Sequence, residues 1–247
     1  MFSRHWLATT LLVIVAMGVT ILMCIWQLNR WETSQLSDAH LISMQKAPLL
    51  VFDEAAISQD LTSMEYRQVV ANGTFDFGHQ VALRNQYWGD PDGPAEYGFH
   101  LFTPLLLESG KAVMVDRGWI PGSYDTSGSW SSFNVPQAAR VTGVIRVPVL
   151  KGEMGGGVPN PAPVPGQPLA LWNYIDLERI QEQIPYQLLS IYIEQVPVGD
   201  QAALPYCSLP TLVLDDVPHL GYALMWVFFT CLLLFGYPVL LHRYFPS

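Results

Sequence analysis

The chain has 247 residues, is 50% hydrophobic and carries a formal net charge of −9, which allows one or two domains and is too apolar for an ordinary soluble globule. Twelve Lys and Arg stand against 21 Asp and Glu, so nucleic acid is excluded as a partner: phosphate is repelled and no basic cluster offsets the repulsion. Two of the three cysteines, Cys24 and Cys231, fall in apolar runs and Cys207 stands apart from them, so the fold must rest on its buried core rather than on a disulfide framework.

In chain order, a short tail at 1–5 carries Arg4 and no acid. From Trp6 to Trp26 the chain reads WLATTLLVIVAMGVTILMCIW, 21 residues without a charge. As a helix this run rises about 31 Å and matches a hydrocarbon core of roughly 30 Å. Trp6, Trp26 and Trp31 flank it, where amphipathic rings favour the headgroup level. A cleaved signal peptide has a shorter apolar region, roughly 7–15 residues, and a small-residue cleavage site. Neither is present, so a first transmembrane helix is placed at 6–28.

The segment 29–218 reads as one extracytoplasmic domain. Arg30 to about Ala56 is polar and weakly periodic, a juxtamembrane helix or linker followed by an extended stretch at Pro48–Val51. Short β-branched or alternating runs then predict strands at Tyr66–Ala71, Gln80–Arg84, Phe99–Leu105, Ala112–Arg117, Arg140–Val147 and Leu188–Val196. Glu108-Ser109-Gly110-Lys111 predicts a hairpin turn between the third and fourth. The Gly- and Pro-rich run from Lys151 to Pro168 cannot continue a strand or helix and predicts a long surface loop. Asp176 caps a short helix to Ile184 with Leu177, Ile180 and Ile184 on one face. The domain is therefore α+β, a mainly antiparallel sheet or small barrel.

Leu220–Leu241 is a second uncharged run of 22 residues, with Tyr222, Tyr237 and Tyr244 as interfacial markers and Pro238 near its end. It predicts a second transmembrane helix at 219–241 and a basic tail at 242–247. The 29–218 segment holds 10 basic and all 21 acidic residues, a net −11. Basic tails belong in the cytoplasm, so both termini are expected inside and the domain outside, in a multi-pass protein of the cell membrane.

No catalytic or nucleotide-binding signature is present: no Walker A loop, G-x-G-x-x-G, G-x-S-x-G, H-E-x-x-H or C-x-x-C. An enzyme is not expected. His40, His79 and His100 are too widely spaced for a local metal site and read as solvated surface residues. The most distinctive stretch of the domain is Asp116-Arg117-Gly118-Trp119-Ile120-Pro121. It reads as a strand running into a tight turn, with Arg117 paired to a carboxylate and Trp119 in the core. The alternative gives Arg117 an external anion, a cofactor carboxylate or a second protein.

His219 stands at the outward mouth of the second helix, where Asp216 offers a cap and Pro218 an opening residue. A helix N-terminus favours the neutral, metal-ligating imidazole, and Asp215 and Asp216 oppose that. Neutral imidazole is the usual axial ligand of haem iron. Tyr222 and Trp226, at i+3 and i+7, share its face and could flank a planar macrocycle. The alternative is an interfacial histidine bonded to headgroups or to the domain.

Five motifs in register resemble the Surfeit locus protein 1 family of cytochrome c oxidase assembly factors. Trp26-Gln27-Leu28-Asn29-Arg30 resembles its W-Q-x-x-R, Gly73-Thr74-Phe75 its G-x-F, and Gly98–Leu105 its G-x-x-x-x-T-P-L strand. Val115–Pro121 resembles V-N-R-G-W-x-P, with Asp116 where the family commonly has Asn, and His219–Trp226 resembles H-L-x-Y-A-x-x-W. The resemblance implies a non-catalytic chaperone that helps insert haem a into subunit I of an aa3-type oxidase. Haem A synthase and the lipid bilayer are the other implied partners. It makes His219 the proposed haem contact, and Trp26, Gln27, Arg30, Arg117, Gly118, Trp119 and Pro121 motif residues; Tyr222 and Trp226 join His219 by helix spacing. A scaffold that docks oxidase subunits without binding haem is the competing expectation.

Overall fold

The computed structural model describes residues 4–89, 94–149, 158–164, 166–197, 203–212 and 214–244. The chain divides into two units, Met1–His40 with Val213–Ser247, and Leu41–Leu212.

The terminal unit is built on α1 (Arg4–Gln45) and α4 (His219–Tyr244), both long and apolar enough to cross a membrane. The apolar run of α1 continues without a break into the polar residues after Arg30, which resolves the helix-or-linker alternative in favour of helix up to Gln45. The two helices pair antiparallel through side chains. Trp6 meets Tyr244 with ring centroids 5.5 Å apart, and Thr10 Oγ1 lies 2.5 Å from the Tyr237 hydroxyl. Thr230 Oγ1 donates to Thr20 Oγ1 at 2.8 Å. In a bilayer, hydroxyl contacts of this kind hold apolar helices together, because lipid tails are as apolar as the helix surfaces. Leu11, Leu12, Phe228 and Val239 point away from the pairing and are exposed, a surface suited to lipid. Pro238 is accommodated inside α4.

The second unit contains β1 (Leu50–Val51), α2 (Glu54–Ile57), β2 (Gln68–Phe75), β3 (Val81–Trp88), β4 (Glu96–Leu107), β5 (Ala112–Pro121), β6 (Ala138–Arg146), β7 (Leu171–Trp172), α3 (Leu177–Gln181) and β8 (Leu188–Gln195). Its strands follow the order β1-β2-β6-β8-β5-β4-β3-β7, and β2 also pairs with β4. That extra pairing closes β2, β6, β8, β5 and β4 into a small barrel, from which β3 and β7 extend. Closure requires β2 and β4 to approach tightly, and Gly73 permits it: a Cβ there would lie 2.3 Å from the Leu106 carbonyl oxygen.

The sheet is mixed: the β2–β4, β2–β6, β3–β4, β4–β5 and β6–β8 pairs are antiparallel, in line with a mainly antiparallel sheet, and the parallel pairs are the addition. The β1–β2, β3–β7 and β5–β8 pairs are parallel. Parallel partners need a crossover of many residues, so adjacency in sequence could not announce them. The hairpin at Glu108–Lys111 is present: Leu107 N donates to Lys111 O at 2.8 Å and Gly110 has φ +79°.

The barrel interior is filled by Val69, Ala71, Leu105, Val113, Val115, Val141, Ile145, Ile191 and Ile193, among others, all buried. Each of the Val, Leu and Ile side chains contributes about 1.5–3 kcal/mol relative to exposure. A second cluster, with Phe102, Met114 and Trp172, is covered by Leu177 and Ile180 of α3. Asp176 caps α3 by accepting from Arg179 N at 3.1 Å. A third cluster holds Phe99, Leu101 and Ile120 under Trp130 and Phe133, supplied by the 3-10 turns of Ser127–Phe133.

Of the Gly- and Pro-rich loop, residues 151–157 and 165 lie outside those described. Its later part is pinned to the domain. Asn160 is 7% exposed; its Oδ1 accepts from Asn173 N at 2.7 Å and Tyr174 N at 3.2 Å, and its Nδ2 donates to Tyr174 O at 3.0 Å.

Candidate functional site

Within the terminal unit, His219 opens α4 and is buried, 7% exposed. Its Nδ1 lies 2.8 Å from Gln27 Oε1 of α1, and its Nε2 lies 3.3 Å from Asp215 Oδ2. Both ring nitrogens therefore face oxygen acceptors. Asp215 precedes the helix in an Asx-type turn, with Oδ1 accepting from Val217 N at 3.2 Å. The turn residue is Asp215 and not the expected Asp216. The first helical carbonyl used is that of Pro218, which accepts from Tyr222 N at 3.1 Å.

Asp215 is in turn held by a stripe of α1. Arg30 Nη2 stands 3.9 Å from its Oδ2, Ser34 donates a side-chain hydrogen bond to it, and Asp38 Oδ1 accepts from its backbone N at 3.3 Å. Gln27, Arg30, Ser34 and Asp38 recur at three- and four-residue spacing, which places them on one helix face. The Asp215 carboxyl is held below its ordinary range by the Val217 amide, against burial, with the His219 and Ser34 hydrogen bonds adding to the lowering.

The remaining expected residues are distributed less evenly. Tyr222 is exposed and Trp226 half-buried, its ring 6.1 Å from that of Phe229. Trp26 is 56% exposed and lies off the Gln27 stripe. Asp38 and Ser34 were missed by the sequence reading, although their spacing from Gln27 and Arg30 was a usable signal.

The β5 motif forms a different cluster, inside the barrel unit. Arg117 is buried, 4% exposed, and the carboxylate partner expected for it is absent among the described residues. Instead Nη1 donates to Gln80 Oε1 at 3.3 Å and Nη2 donates to the Phe133 carbonyl. The guanidinium carbon lies 5.4 Å from the ring centroids of both Phe75 and Phe77, cation–π contacts that partly replace lost hydration. Burial pushes the group down to about 10, opposed by Cys207, so it remains cationic at neutral pH.

Gly118 follows with φ +111°, and a Cβ there would stand 2.5 Å from the Tyr206 carbonyl oxygen. Trp119 stacks on Tyr206 with ring planes 7° apart and centroids 6.0 Å apart. Pro121 ends the strand opposite Gly98. Asp116, the residue in place of the family's Asn, accepts from Gly118 N at 2.9 Å and from His100 Nδ1 at 2.7 Å. His100 is thus a bonded, half-buried residue and not a solvated one. Burial would lower its pKa, but Asp116 and Glu194 outweigh that and hold it above the ordinary 6.5. His79 is likewise bonded, 2.6 Å from Asp76 Oδ2.

These features define a class: a small mixed β-barrel domain carried by a chain whose two long apolar helices pair around a buried histidine. The sequence profile of the SURF1 family matches residues 14–231. A SURF1-like protein of Caenorhabditis briggsae is 24% identical over 195 residues, covering 71% of this chain and 59% of that relative. A SURF1-like protein of Monosiga brevicollis is 28% identical over 129 residues, 49% of this chain and 48% of its own length. The chain belongs to the SURF1 family. It spans about half the length of the curated relatives it matches.

Proposed function

We propose that this chain is a membrane-anchored assembly factor for an aa3-type cytochrome c oxidase, assisting delivery or insertion of haem a into subunit I. Family membership supports the oxidase setting, and one observation carries the haem reading. The His219–Gln27 contact joins the W-Q-x-x-R and H-L-x-Y-A-x-x-W motifs at one point between two apolar helices.

In this reading residues 6–28 and 219–241 span the cell membrane, the tails at 1–5 and 242–247 are cytoplasmic, and 29–218 lies outside. Haem a is cargo rather than a resident cofactor. Gln27 fixes the Nδ1 side of the ring, as the outer partners of ligating histidines commonly do. Nε2 then becomes the iron-facing atom once its longer contact with Asp215 is exchanged. Tyr222 and Trp226 flank the macrocycle. Haem A synthase is the donor partner and subunit I the acceptor. The test is the visible spectrum of the chain purified from cells that make haem a. Bound haem a whose spectrum changes in His219→Ala supports the reading; no haem, or a spectrum indifferent to that substitution, overturns the ligand assignment.

A second reading, a scaffold that docks oxidase subunits without touching haem, is favoured by the engagement of both His219 nitrogens within the protein. It predicts that co-purification of oxidase subunits survives His219→Ala.

A further inference from the structure

Arg117 presents an imbalance that the oxidase reading does not use. A buried cation normally has a carboxylate partner, because neutral oxygens return only part of the lost hydration. The Arg117 guanidinium has five N–H donors, and its two hydrogen bonds go to a side-chain amide oxygen and a peptide carbonyl. No Asp or Glu pairs with it among the described residues.

A cavity of about 490 Å³ opens beside this group. Its lining contains Arg117 and Arg140 and, among the described residues, no carboxylate, in a chain where acids outnumber bases 21 to 12. The walls are apolar: Phe75, Val135, Pro136, Leu204 and Pro205. Arg140 is exposed and Arg117 is buried, so the lining carries one solvent-facing and one desolvated positive charge. Gln195 is a further polar group on the lining.

We propose that this cavity is a binding site for a small monocarboxylate carried on a compact apolar body, with Arg117 as the anchoring cation and Arg140 as the guiding one. A guanidinium with unused N–H groups matches a carboxylate fork. One negative charge balances the one buried cation, whereas a phosphate dianion would leave excess charge against the apolar walls. The site lies wholly within the barrel unit and is independent of haem handling by His219.

The full chain in lipid nanodiscs is titrated with 4-(trifluoromethyl)phenylacetate, followed by ¹⁹F NMR against empty discs. Parallel titrations use the corresponding alcohol and amine. Saturable binding of the acid, with the alcohol and amine weaker by about tenfold or more, is expected. Inorganic phosphate should fail to compete. Arg117→Lys, which keeps the charge and removes the fork, should weaken the acid by about tenfold. Arg140→Gln, at an exposed position where folding is not at stake, should weaken it a few-fold with an unchanged Tm. No saturable binding of the acid, equal binding of acid and alcohol, effective competition by phosphate, or an Arg140→Gln protein indistinguishable from wild type would each overturn the proposal.

Discussion

His219 Nδ1 lies 2.8 Å from Gln27 Oε1, across 192 residues of sequence. Interhelical hydrogen bonds in membranes contribute about 0.6 kcal/mol on average and at most roughly 1.7. Gln27→Leu should therefore lower stability by no more than about 2 kcal/mol in denaturant titration of the detergent-solubilised chain, yet alter any His219-dependent spectrum as much as His219→Ala does. A spectrum unchanged by Gln27→Leu would remove Gln27 from the site.

Gly118 and Gly110 both have positive φ, +111° and +79°, but only at Gly118 would a Cβ collide with backbone, 2.5 Å from Tyr206 O. Gly110→Ala should cost about 1–2 kcal/mol from conformation alone. Gly118→Ala adds a clash with the Tyr206 backbone, which is held by its paired hydrogen bonds to Trp119, so a loss larger by on the order of 2 kcal/mol is expected. Thermal unfolding of the two variants side by side checks the ranking, and equal losses would contradict the close approach.

The strands, the hairpin and both apolar helices were legible because period-2 alternation and long uncharged runs depend on local sequence alone. Barrel closure was not. It rests on Gly73 tolerating the β4 backbone, and on the parallel β5–β8 pair that brings Asp116 opposite Glu194, both of which are non-local. The His219 site was half legible. The histidine and Gln27 stood in motifs, whereas the part played by Asp215, Ser34 and Asp38 depended on which face of α1 meets α4. Arg117 was read as a salt-bridged residue because most buried arginines are; its aromatic surroundings come from Phe75 and Phe77, some 40 residues earlier in the chain.

His100 has a raised pKa in the folded chain, with Asp116 and Glu194 outweighing burial. A proton held more tightly in the folded state stabilises it. The contribution is complete below the unfolded value of 6.5 and is lost as pH rises through the folded one. The Tm difference between wild type and His100→Gln should thus be largest in mildly acidic buffer and shrink towards alkaline pH. A difference that grows with pH contradicts the pairing with Asp116.

Asn160 satisfies two backbone N–H groups, those of Asn173 and Tyr174, from a buried position. Asn160→Ala leaves both without a partner, so a loss of about 1–3 kcal/mol is expected in chemical denaturation. Asn160→Asp, which keeps the acceptors, should recover part of it. Wild-type stability in the alanine variant would mean that the loop is not anchored there.

Deletion of the gene in a host with an aa3-type oxidase, followed by measurement of haem a per oxidase subunit I, bears on the assembly role without assuming any site. We expect haem a content to fall and to be restored by the wild-type chain but not by His219→Ala. Oxidase with its full complement of haem a in the deletion strain would contradict both the haem-delivery and the scaffold readings.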